Sequence, residues 1–496
     1  MPRSRVRPFL FALLVVVGLA ACAFVGCIPG YTFGEAGSGD GGLPDATSGM
    51  DASVDGTVDS AIDSANPSEA SVDAAQDSDS QSPIDGSSAA VAIADAGSKV
   101  GSTGYGYQLH EVFAENDQRY WYFYVDDTAG EIKSVSSPDF VTWTPGAAIA
   151  LGADYTLDDG NNFSVAYASL GGKDVVHFVL NAHSQTSGFE TLHVRTTITS
   201  GALTASAPLV LPESTNGGTC PADAPATILT PGGRVYDVTA WTNHGSTEST
   251  TCDTNVYLAP GTDLGTSWDA GTFGYDGYYV SIPSYAYSHD LVSLPDAGLV
   301  MLLYPDEDNA GYTLFDSIGW ALSSAFDGGE PGEGGGVDMP VADELFNGSG
   351  KTSSSNDWSA CRLGASEVHV VRHAILTAPG TVSAFQEAVY DGSSWQTTTS
   401  PPAASTSLSN TGVVLLSGVD SSHGMLLVTL GFDGTLNIAR WTSAGWTQAG
   451  HIPADANARQ SLAGSGCGSV RPTIFWTETI GPANVIESAD LSSFLP

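Results

Sequence analysis

Short apolar runs recur along the chain after residue 104, and this repetition constrains the fold more than any single residue does. The runs are four to nine residues long, rich in β-branched and aromatic side chains, and bounded by Gly, Asp, Ser or Pro. They return every 50 to 70 residues as strand, glycine-containing turn, strand, as in NNFSVAYASLGGKDVVHFVL and SHDLVSLPDAGLVMLLY. Bounded runs of this kind are typical of β-strands. Four-stranded sheets repeated at this spacing predict a β-propeller.

The number of repeats predicts the number of blades. Repeats begin near residues 107, 162, 222, 289, 356 and 411, which indicates an all-β fold with a six-bladed β-propeller. The tail from Cys467 to Pro496 holds two or three further strands, which either close the ring against the N-terminal segment or contribute to a seventh blade. Seven or five blades are therefore alternatives. A pair of β-sandwiches is a weaker one, because repeats this long fit sandwiches poorly.

The first residues read as an export signal. Three arginines precede the apolar run FLFALLVVVGLAAC, which is short for a permanent membrane span. LAAC, ending at Cys22, resembles a bacterial lipobox, and this resemblance implies a signal peptide over 1–21 and lipidation of Cys22. An ordinary secretory signal, or a lipobox ending at Cys27, is the alternative. Because Ala23 is not an aspartate, the resemblance implies an outer-membrane or cell-surface protein of a Gram-negative bacterium.

Residues 22–100 are predicted to be a disordered tether and residues 101–496 the propeller. Residues 31–100 carry 13 acidic side chains and one lysine, a composition that repels itself and offers little apolar surface for a core. Residues 101–496 carry 42 acidic and 11 basic side chains. This excess of negative charge argues against nucleic acid as a partner and against membrane contact other than through the lipid.

Two hairpin sequences share an aspartate followed by a tryptophan. GTDLGTSW (261–268) contains Asp263, Gly265 and Trp268, and SPDFVTW contains Asp139 and Trp143. In such a hairpin the aspartate caps backbone N–H groups of a tight turn, the glycine supplies a permissive dihedral angle, and the tryptophan packs beneath. DGSSW (391–395) and TSAGW (442–446) keep the turn and the tryptophan.

These hairpins resemble the Asp boxes of sialidase-like, BNR-type β-propellers. The resemblance implies the fold and places the hairpins on the outer rim, away from the centre. It does not imply sialidase activity, because the arginine motif that sialidases carry near the start of the domain is missing here.

Aspartates at the starts of three successive repeats are candidates for a central site. Asp223, Asp290 and Asp357 are separated by 67 and again by 67 residues, and segments that lead into the innermost strands form the mouth of a propeller channel. A pair of them could act on a glycosidic bond. Alternatively, each aspartate caps its own loop. Further candidates for ligand contact lie at or after the same positions: His289, Asn356, Trp358, Arg362 and Arg471. A salt bridge to Glu478 is the structural alternative for Arg471.

Cysteines and possible metal ligands complete the candidates. An exported protein with an even number of domain cysteines favours disulfides, and we expect Cys220 with Cys252 and Cys361 with Cys467. No metal or cofactor is expected. Asp306–Gly311 begins like a calcium loop but has Ser317 where the closing glutamate belongs, so Ca²⁺ at this turn is only an alternative.

The expected function is recognition of a glycan or surface polysaccharide by a monomeric, surface-anchored propeller. The propeller would be lectin-like or a degenerate glycoside hydrolase, without activity. An active glycosidase with paired carboxylates and a protein-interaction scaffold are the alternatives.

Overall fold

The described part of the protein consists of β-strands. The computed structural model describes residues 90–95, 108–126, 129–157, 163–186, 188–210, 227–229, 238–244, 254–260, 278–281, 290–307, 315–322, 345, 358–375, 383–397, 408–418, 424–431, 433–454, 458–481 and 483–495. These ranges belong to one compact unit, Ser78–Pro496. Their only helix is a single 3-10 turn, Ser492–Phe494. The described residues therefore include no helix that is long and apolar enough to cross a membrane.

The first four sheets follow one another along the chain. Blade 1 contains β2 (Glu111–Ala114), β3 (Arg119–Asp126), β4 (Glu131–Ser137) and β5 (Thr144–Pro145). Blade 2 contains β6 (Tyr155–Thr156), β7 (Phe163–Leu170), β8 (Lys173–Ser184), β9 (Gly188–Thr199), β10 (Ala202–Ala205) and β11 (Leu209–Val210). Blade 3 contains β12 (Thr227–Leu229), β13 (Val238–His244), β14 (Thr254–Pro260) and β15 (Tyr278–Ser281). Blade 4 contains β16 (Asp290–Leu294), β17 (Leu299–Glu307) and β18 (Phe315–Leu322).

Three more sheets follow. Blade 5 contains β19 (Trp358–Leu363), β20 (Glu367–Ile375), β21 (Ser383–Tyr390) and β22 (Trp395–Thr397). Blade 6 contains β23 (Leu408–Ser417), β24 (Met425–Gly431), β25 (Leu436–Thr442) and β26 (Gly445–Ile452). Blade 7 contains β27 (Ala458–Gly464), β28 (Thr473–Ile480) and β29 (Ala483–Asp490), and it is completed by β1 (Val91–Asp95) from the other end of the sequence.

The innermost strands of successive blades are neighbours, which makes the protein a β-propeller. β2, β7, β12, β16, β19, β23 and β27 contact one another in this order. A parallel bridge between Leu109 and Gly464 joins the last of them to the first blade. The approach is close, since a Cβ at Gly464 would overlap the side chains of Leu416 and Val414. The described strands form seven sheets, one more than the six blades predicted. The strands of the C-terminal tail account for the difference.

The apolar core lies between the blades. Alternate side chains of one strand point to opposite faces of its sheet, so each blade contacts both of its neighbours. In β24, Met425 and Leu427 pack with blade 5, whereas Leu426 and Val428 pack with blade 7. Similar clusters fill the spaces between blades 1 and 2, 4 and 5, and 7 and 1.

The propeller begins earlier in the sequence than predicted. β1 lies inside the predicted tether of residues 22–100, yet it pairs antiparallel with β29, with Val91 opposite Ser488. Ile93 is buried between blades 7 and 1 together with Phe475 and Ile486. The five-residue segment VAIAD has only two large apolar side chains, Val91 and Ile93, which do not stand out from its Ala- and Asp-rich surroundings. The boundary at residue 101 is therefore wrong by at least the length of β1.

The hairpin of blade 1 has the hydrogen bonds that its sequence predicts. Asp139 Oδ1 accepts from the backbone N–H groups of Thr142 (2.8 Å) and Val141 (2.9 Å) and from the Ser137 hydroxyl (3.0 Å). These bonds lower the pKa of Asp139 to about 2. Trp143 packs beneath the turn in the cluster between blades 7 and 1.

The hairpin of blade 5 repeats this arrangement. Asp391 Oδ1 accepts from the hydroxyl of Ser393 (2.7 Å) and from the N–H groups of Ser393 and Ser394 (both 2.9 Å). These bonds lower the pKa of Asp391 to about 2. The shortened motif DGSSW therefore keeps the capping aspartate as well as the tryptophan.

A disulfide near the inner strands joins blade 5 to blade 7, next to blade 6. Cys361 of β19 is bonded to Cys467 in the loop after β27, with their Cα atoms 5.4 Å apart. Ser417 of blade 6 lies beside this bond. Its hydroxyl donates to the Arg362 carbonyl (2.8 Å) and accepts from the Gly468 N–H (2.8 Å). Blades 5, 6 and 7 are thus tied together covalently and by hydrogen bonds.

Several predicted structural residues lie outside the described ranges: Cys22, Cys220, Cys252, Asp263, Gly265 and Trp268. The predicted Cys220–Cys252 bond and the GTDLGTSW hairpin stay predictions.

The role of β1 in closing the ring can be tested at Ile93. Ile93→Ala removes a buried side chain from the interface between blades 7 and 1 and should lower the free energy of unfolding by about 2–4 kcal/mol. Urea denaturation of the full chain measures this loss. Ala92→Ser, at the neighbouring exposed position of the same strand, should change it by no more than about 0.5 kcal/mol. An equal, small effect of both substitutions would show that β1 does not close the ring.

Candidate functional site

The structure describes one of the three predicted carboxylates at the channel mouth. Asp290 is the first residue of β16 and alternates with Val292 and Leu294, which pack between blades 4 and 5. Its Oδ1 accepts from the Leu291 N–H at 2.8 Å. Burial raises its pKa well above the ordinary value, and this hydrogen bond offsets only part of the effect. By this alternation, Asp290 lies on the same face of β16 as Val292 and Leu294.

The remaining mouth residues, Asp223, Asp357, His289 and Asn356, lie outside the described ranges. Their convergence stays a prediction.

Trp358 is a core residue, which contradicts its predicted role as an exposed ligand contact. Its side chain is 1% exposed and belongs to the cluster between blades 4 and 5. Trp358 is the first residue of an inner strand, β19, whose alternate residues, such as Ala360, face the neighbouring blade. Its indole ring is therefore covered on both sides. An aromatic residue after a predicted loop looks the same in sequence whether it is buried or exposed.

Arg471 fastens blade 7 to blade 1. Its Nε lies 3.2 Å from Asp490, its Nη1 donates to the Asp139 carbonyl (3.1 Å), and its guanidinium lies 5.2 Å from the Tyr120 ring centre. The predicted partner Glu478 is replaced by Asp490. All these contacts are structural, so the geometry gives Arg471 a role in joining blades and does not support ligand binding.

Arg362 is held near the inter-blade disulfide. The backbone N–H of Arg362 donates to Cys467 Sγ at 3.2 Å. Burial lowers the pKa of its guanidinium, and the charge of Asp296 in blade 4 acts in the opposite direction. Arg362 and Arg471 therefore have separate partners in the structure.

Three hairpins place a pair of aromatic rings against the preceding blade. In blade 1, Phe140 and Trp143 have ring centres 5.1 Å apart and pack with Phe475 of blade 7. In blade 5, Tyr390 and Trp395 are cross-strand partners with ring centres 5.4 Å apart. They pack with Trp320 of blade 4, whose ring centre is 5.8 Å from each of them. The blade 5 hairpin packs against apolar and aromatic side chains, whereas the blade 1 hairpin also contacts Arg471, whose guanidinium lies 5.6 Å from the Phe140 ring centre.

The third hairpin faces a polar surface. Trp441 and Trp446 of blade 6 are cross-strand partners, as Tyr390 and Trp395 are in blade 5, and their ring centres are also 5.4 Å apart. They pack partly against apolar residues of blade 5, and they also contact the charged residues His369 and Glu387 of that blade. We call this cleft the 5/6 groove and define it by five residues: Glu367, His369, Glu387, Trp441 and Trp446.

A histidine between two glutamates forms the floor of the 5/6 groove. His369 Nδ1 lies 2.7 Å from Glu387 Oε1, and its Nε2 lies 2.6 Å from Glu367 Oε1. Trp446 Nε1 donates to the second oxygen of Glu387 at 2.8 Å. The ring of Trp441 stands edge-on to the imidazole, with centres 5.1 Å apart.

Alternation in β20 explains how these side chains meet. Glu367, His369 and Val371 point to the same face of blade 5, and Val371 packs with blade 6. Glu387 of β21 lies opposite Val371, beside His369.

The two carboxylates favour the charged form of the buried histidine. Burial by itself would lower the pKa of His369, but its hydrogen bonds to Glu367 and Glu387 raise it above the ordinary value of 6.5. The imidazole and the Glu387 side chain are fully buried, whereas the Glu367 side chain is 40% exposed. Trp441 and Trp446 are half-buried. The groove therefore presents a carboxylate and two ring surfaces to water above a fixed charged network.

This arrangement suits binding more directly than metal chemistry. Carboxylate oxygens can accept hydrogen bonds from hydroxyl groups, and half-buried indole rings offer flat apolar faces. Within the described ranges, no three His, Cys, Asp or Glu side chains are grouped so as to hold a metal ion. Asp306 and Glu307, the start of the possible calcium loop, are the last residues of β17, opposite Ser317 and Phe315.

Sequence reasoning missed Glu367, His369 and Glu387. EVHVVRHA is one of the short apolar runs typical of strands and lies in β20, but its strand pattern alone assigns no role to its charged residues. Their signal is a glutamate and a histidine two residues apart in an apolar strand, because such residues share a face that must be buried in a propeller. The partner glutamate is not adjacent in sequence, so the network itself could not be predicted.

Comparisons with known proteins find similarity in structure. No family model and no curated protein matches the chain. The BP39L lectin from Burkholderia pseudomallei is 12% identical, with 78% of this chain and 97% of that chain covered and a TM-score of 0.46. A polysaccharide lyase of family PL25, an ulvan lyase bound to -[GlcA(1-4)Rha3S]-, is 10% identical, with coverages of 80% and 94% and a TM-score of 0.47. The Aleuria aurantia lectin in complex with Fucα1-6GlcNAc is 13% identical, with coverages of 68% and 94% and a TM-score of 0.36.

The charge on His369 predicts a pH-dependent cost of removing Glu387. Because the folded pKa is raised, the stability from charged His369 is complete below about pH 6.5 and is lost as pH rises through the folded value. Glu387→Gln should therefore lower the free energy of unfolding by about 1.5–3 kcal/mol at pH 6 and by clearly less at pH 9. Urea denaturation at both pH values measures this difference. The exposed Glu115→Gln should have no effect at either pH, and an equal cost of Glu387→Gln at both would show that the charge of His369 does not change between them.

Proposed function

We propose that this protein binds carbohydrate in the 5/6 groove. The observation that carries the proposal is the contrast between equivalent hairpins. In blade 5, Tyr390 and the partly buried Trp395 pack against apolar side chains, whereas in blade 6 Trp441 and Trp446 lie beside a hydrogen-bonded Glu–His–Glu network. A cleft that joins flat rings to a few fixed polar groups matches the two surfaces of a sugar, its C–H face and its hydroxyl rim.

The fixed network supports binding because it needs little reorganisation. Glu387 is held by His369 and by Trp446 Nε1, and His369 is held on both ring nitrogens. The exposed Glu367 is therefore positioned from behind by a charged partner. Groups fixed before a ligand arrives lose little entropy on binding. This is the property expected of a recognition site.

Glycoside hydrolysis is the second candidate function. Asp290 is the described candidate for its general acid, because burial raises the pKa of this carboxyl well above its ordinary value, and a raised pKa is what a general acid requires. Hydrolysis also needs a second carboxylate at a defined separation, for which Asp223 and Asp357 are the candidates.

We also propose that the chain is a monomer anchored to the outer membrane or cell surface through a lipid on Cys22. The arginine-flanked apolar run that ends in LAAC supports this proposal. Labelling of expressing cells with a radioactive fatty acid should mark the wild-type chain. Cys22→Ser should abolish the label, whereas Cys27→Ser should keep it. A labelled Cys22→Ser protein, or an unlabelled wild type, would refute the anchor.

Carbohydrate binding is tested on a glycan array with the full chain in mild detergent. Trp441→Leu and Trp446→Leu should each weaken the strongest glycan signal about tenfold or more, because each removes a ring surface from the groove. Tyr390→Leu and Trp395→Leu are matched controls at the same register in blade 5 and should bind as the wild type does. Circular dichroism spectra of all four variants confirm folding.

The outcomes separate the alternatives. Equal losses in groove and control variants would contradict the assignment to the 5/6 groove. Release of a chromogenic sugar, abolished by Asp290→Asn, would identify a hydrolase. The absence of any glycan signal would favour a protein-interaction scaffold.

A further inference from the structure

We infer that the 5/6 groove selects sugars that carry a free amino group over neutral sugars, and disfavours acidic ones. This inference rests on the proposed function and names the class of ligand at the same site. It follows from the charges that line the groove.

The groove carries an excess of negative charge. Glu367 and Glu387 face a single imidazolium, His369, which they hold by hydrogen bonds of 2.6 and 2.7 Å. With His369 protonated, the network has a net charge of −1. The deeper carboxylate, Glu387, is enclosed by His369 and Trp446, so the negative charge that a ligand meets first is that of Glu367, which is 40% exposed.

No described cation of blades 5 and 6 faces the groove. Arg372 is fully buried and its Nε donates to Gln386 at 2.8 Å. It alternates with residues that pack with blade 6 and therefore points towards blade 4. By the same alternation in β19, Arg362 also points towards blade 4. Arg440 lies between Ala439 and Trp441, which face blade 5, and so points towards blade 7. Among the described residues of blades 5 and 6, no arginine or lysine is therefore placed on this face to pair with a ligand carboxylate or sulfate.

One further titratable residue lies on the groove face of β20. His373 is buried beside Phe385, with ring centres 5.8 Å apart. It lies four residues after His369 along β20, on the same face but further from Glu367. The charge that decides between ligands is therefore that of the Glu367–His369–Glu387 network.

The indole rings act in the same direction as this charge. An ammonium group is attracted to the face of a tryptophan ring and to a carboxylate, and Trp441, Trp446 and Glu367 lie around one cleft. A hydroxyl at the same position of the sugar can form a hydrogen bond but gains neither attraction. A carboxylate there meets repulsion from Glu367. We expect an order of affinity of amine, hydroxyl, carboxylate.

Competition for the strongest array glycan tests this order at pH 6 in 150 mM NaCl. The inhibitors are methyl glycosides in the gluco and galacto series, each with a hydroxyl, a protonated amine or a carboxylate. The amine should inhibit at about a tenfold lower concentration than its hydroxyl counterpart. The carboxylate should be the weakest inhibitor of each series.

Two variants distinguish the groove from the general negative charge of the protein. Glu367→Gln removes the exposed carboxylate and should reduce the preference for the amine to about threefold or less. Glu115→Gln removes one exposed carboxylate of blade 1 and should leave the preference unchanged. A preference that survives Glu367→Gln would overturn the inference, since it would then arise from charge elsewhere.

The remaining outcomes are also decisive. Equal inhibition by amine and hydroxyl, stronger inhibition by the carboxylate, or no inhibition by the amines would overturn the inference and leave carbohydrate binding standing. An array with no glycan signal would refute the proposed function itself, and the inference with it.

Discussion

The alternation of side chains along each strand is the constraint on which this structure depends. Every blade has two faces, and strands that are apolar on both sides, such as β24, must bury both. Two sheets packed together would leave two such faces in water, whereas a closed ring leaves none. This is why a strand from the beginning of the sequence, β1, completes blade 7, and why Leu109 and Gly464 meet at the point of closure. The interfaces between blades, and not the interior of any one sheet, form the core.

A polar residue on an inward-facing position must find its partners inside an interface. Arg471 does so between blades 7 and 1, where Asp490, a carbonyl and two aromatic rings surround its guanidinium. His369 does so between blades 5 and 6 with two glutamates. A well-packed apolar pair at the position of His369 would be expected to stabilise the fold at least as well as a buried ionic group. Blade 5 has such apolar packing at the matching hairpin, so stability alone does not explain the polar network of the 5/6 groove.

The sequence predicted what is local and missed what is assembled from distant parts. Hairpin aspartates could be recognised because Asp139 and the N–H groups it caps lie within four residues. The disulfide partners Cys361 and Cys467 could be proposed because cysteines are few. In contrast, β1 and β29 are nearly 400 residues apart in sequence, and a five-residue strand gives no signal of its own without its partner. The buried position of Trp358 and the pairing of His369 with Glu387 depend on which face of a strand meets which blade, and this was not considered.

The inner strands of blades 5 to 7 lie close together. On the side of blades 5 to 7 the disulfide, the Ser417 hydroxyl and the close approach at Gly464 draw neighbouring strands together. Asp290, the described member of the predicted mouth, follows the alternation of residues that pack between blades. The rim is different, because a hairpin can reach across to the preceding blade without closing the cleft. Trp441 and Trp446 are half-buried for this reason, and in this fold the spaces between blades can therefore provide binding sites as readily as the axis does.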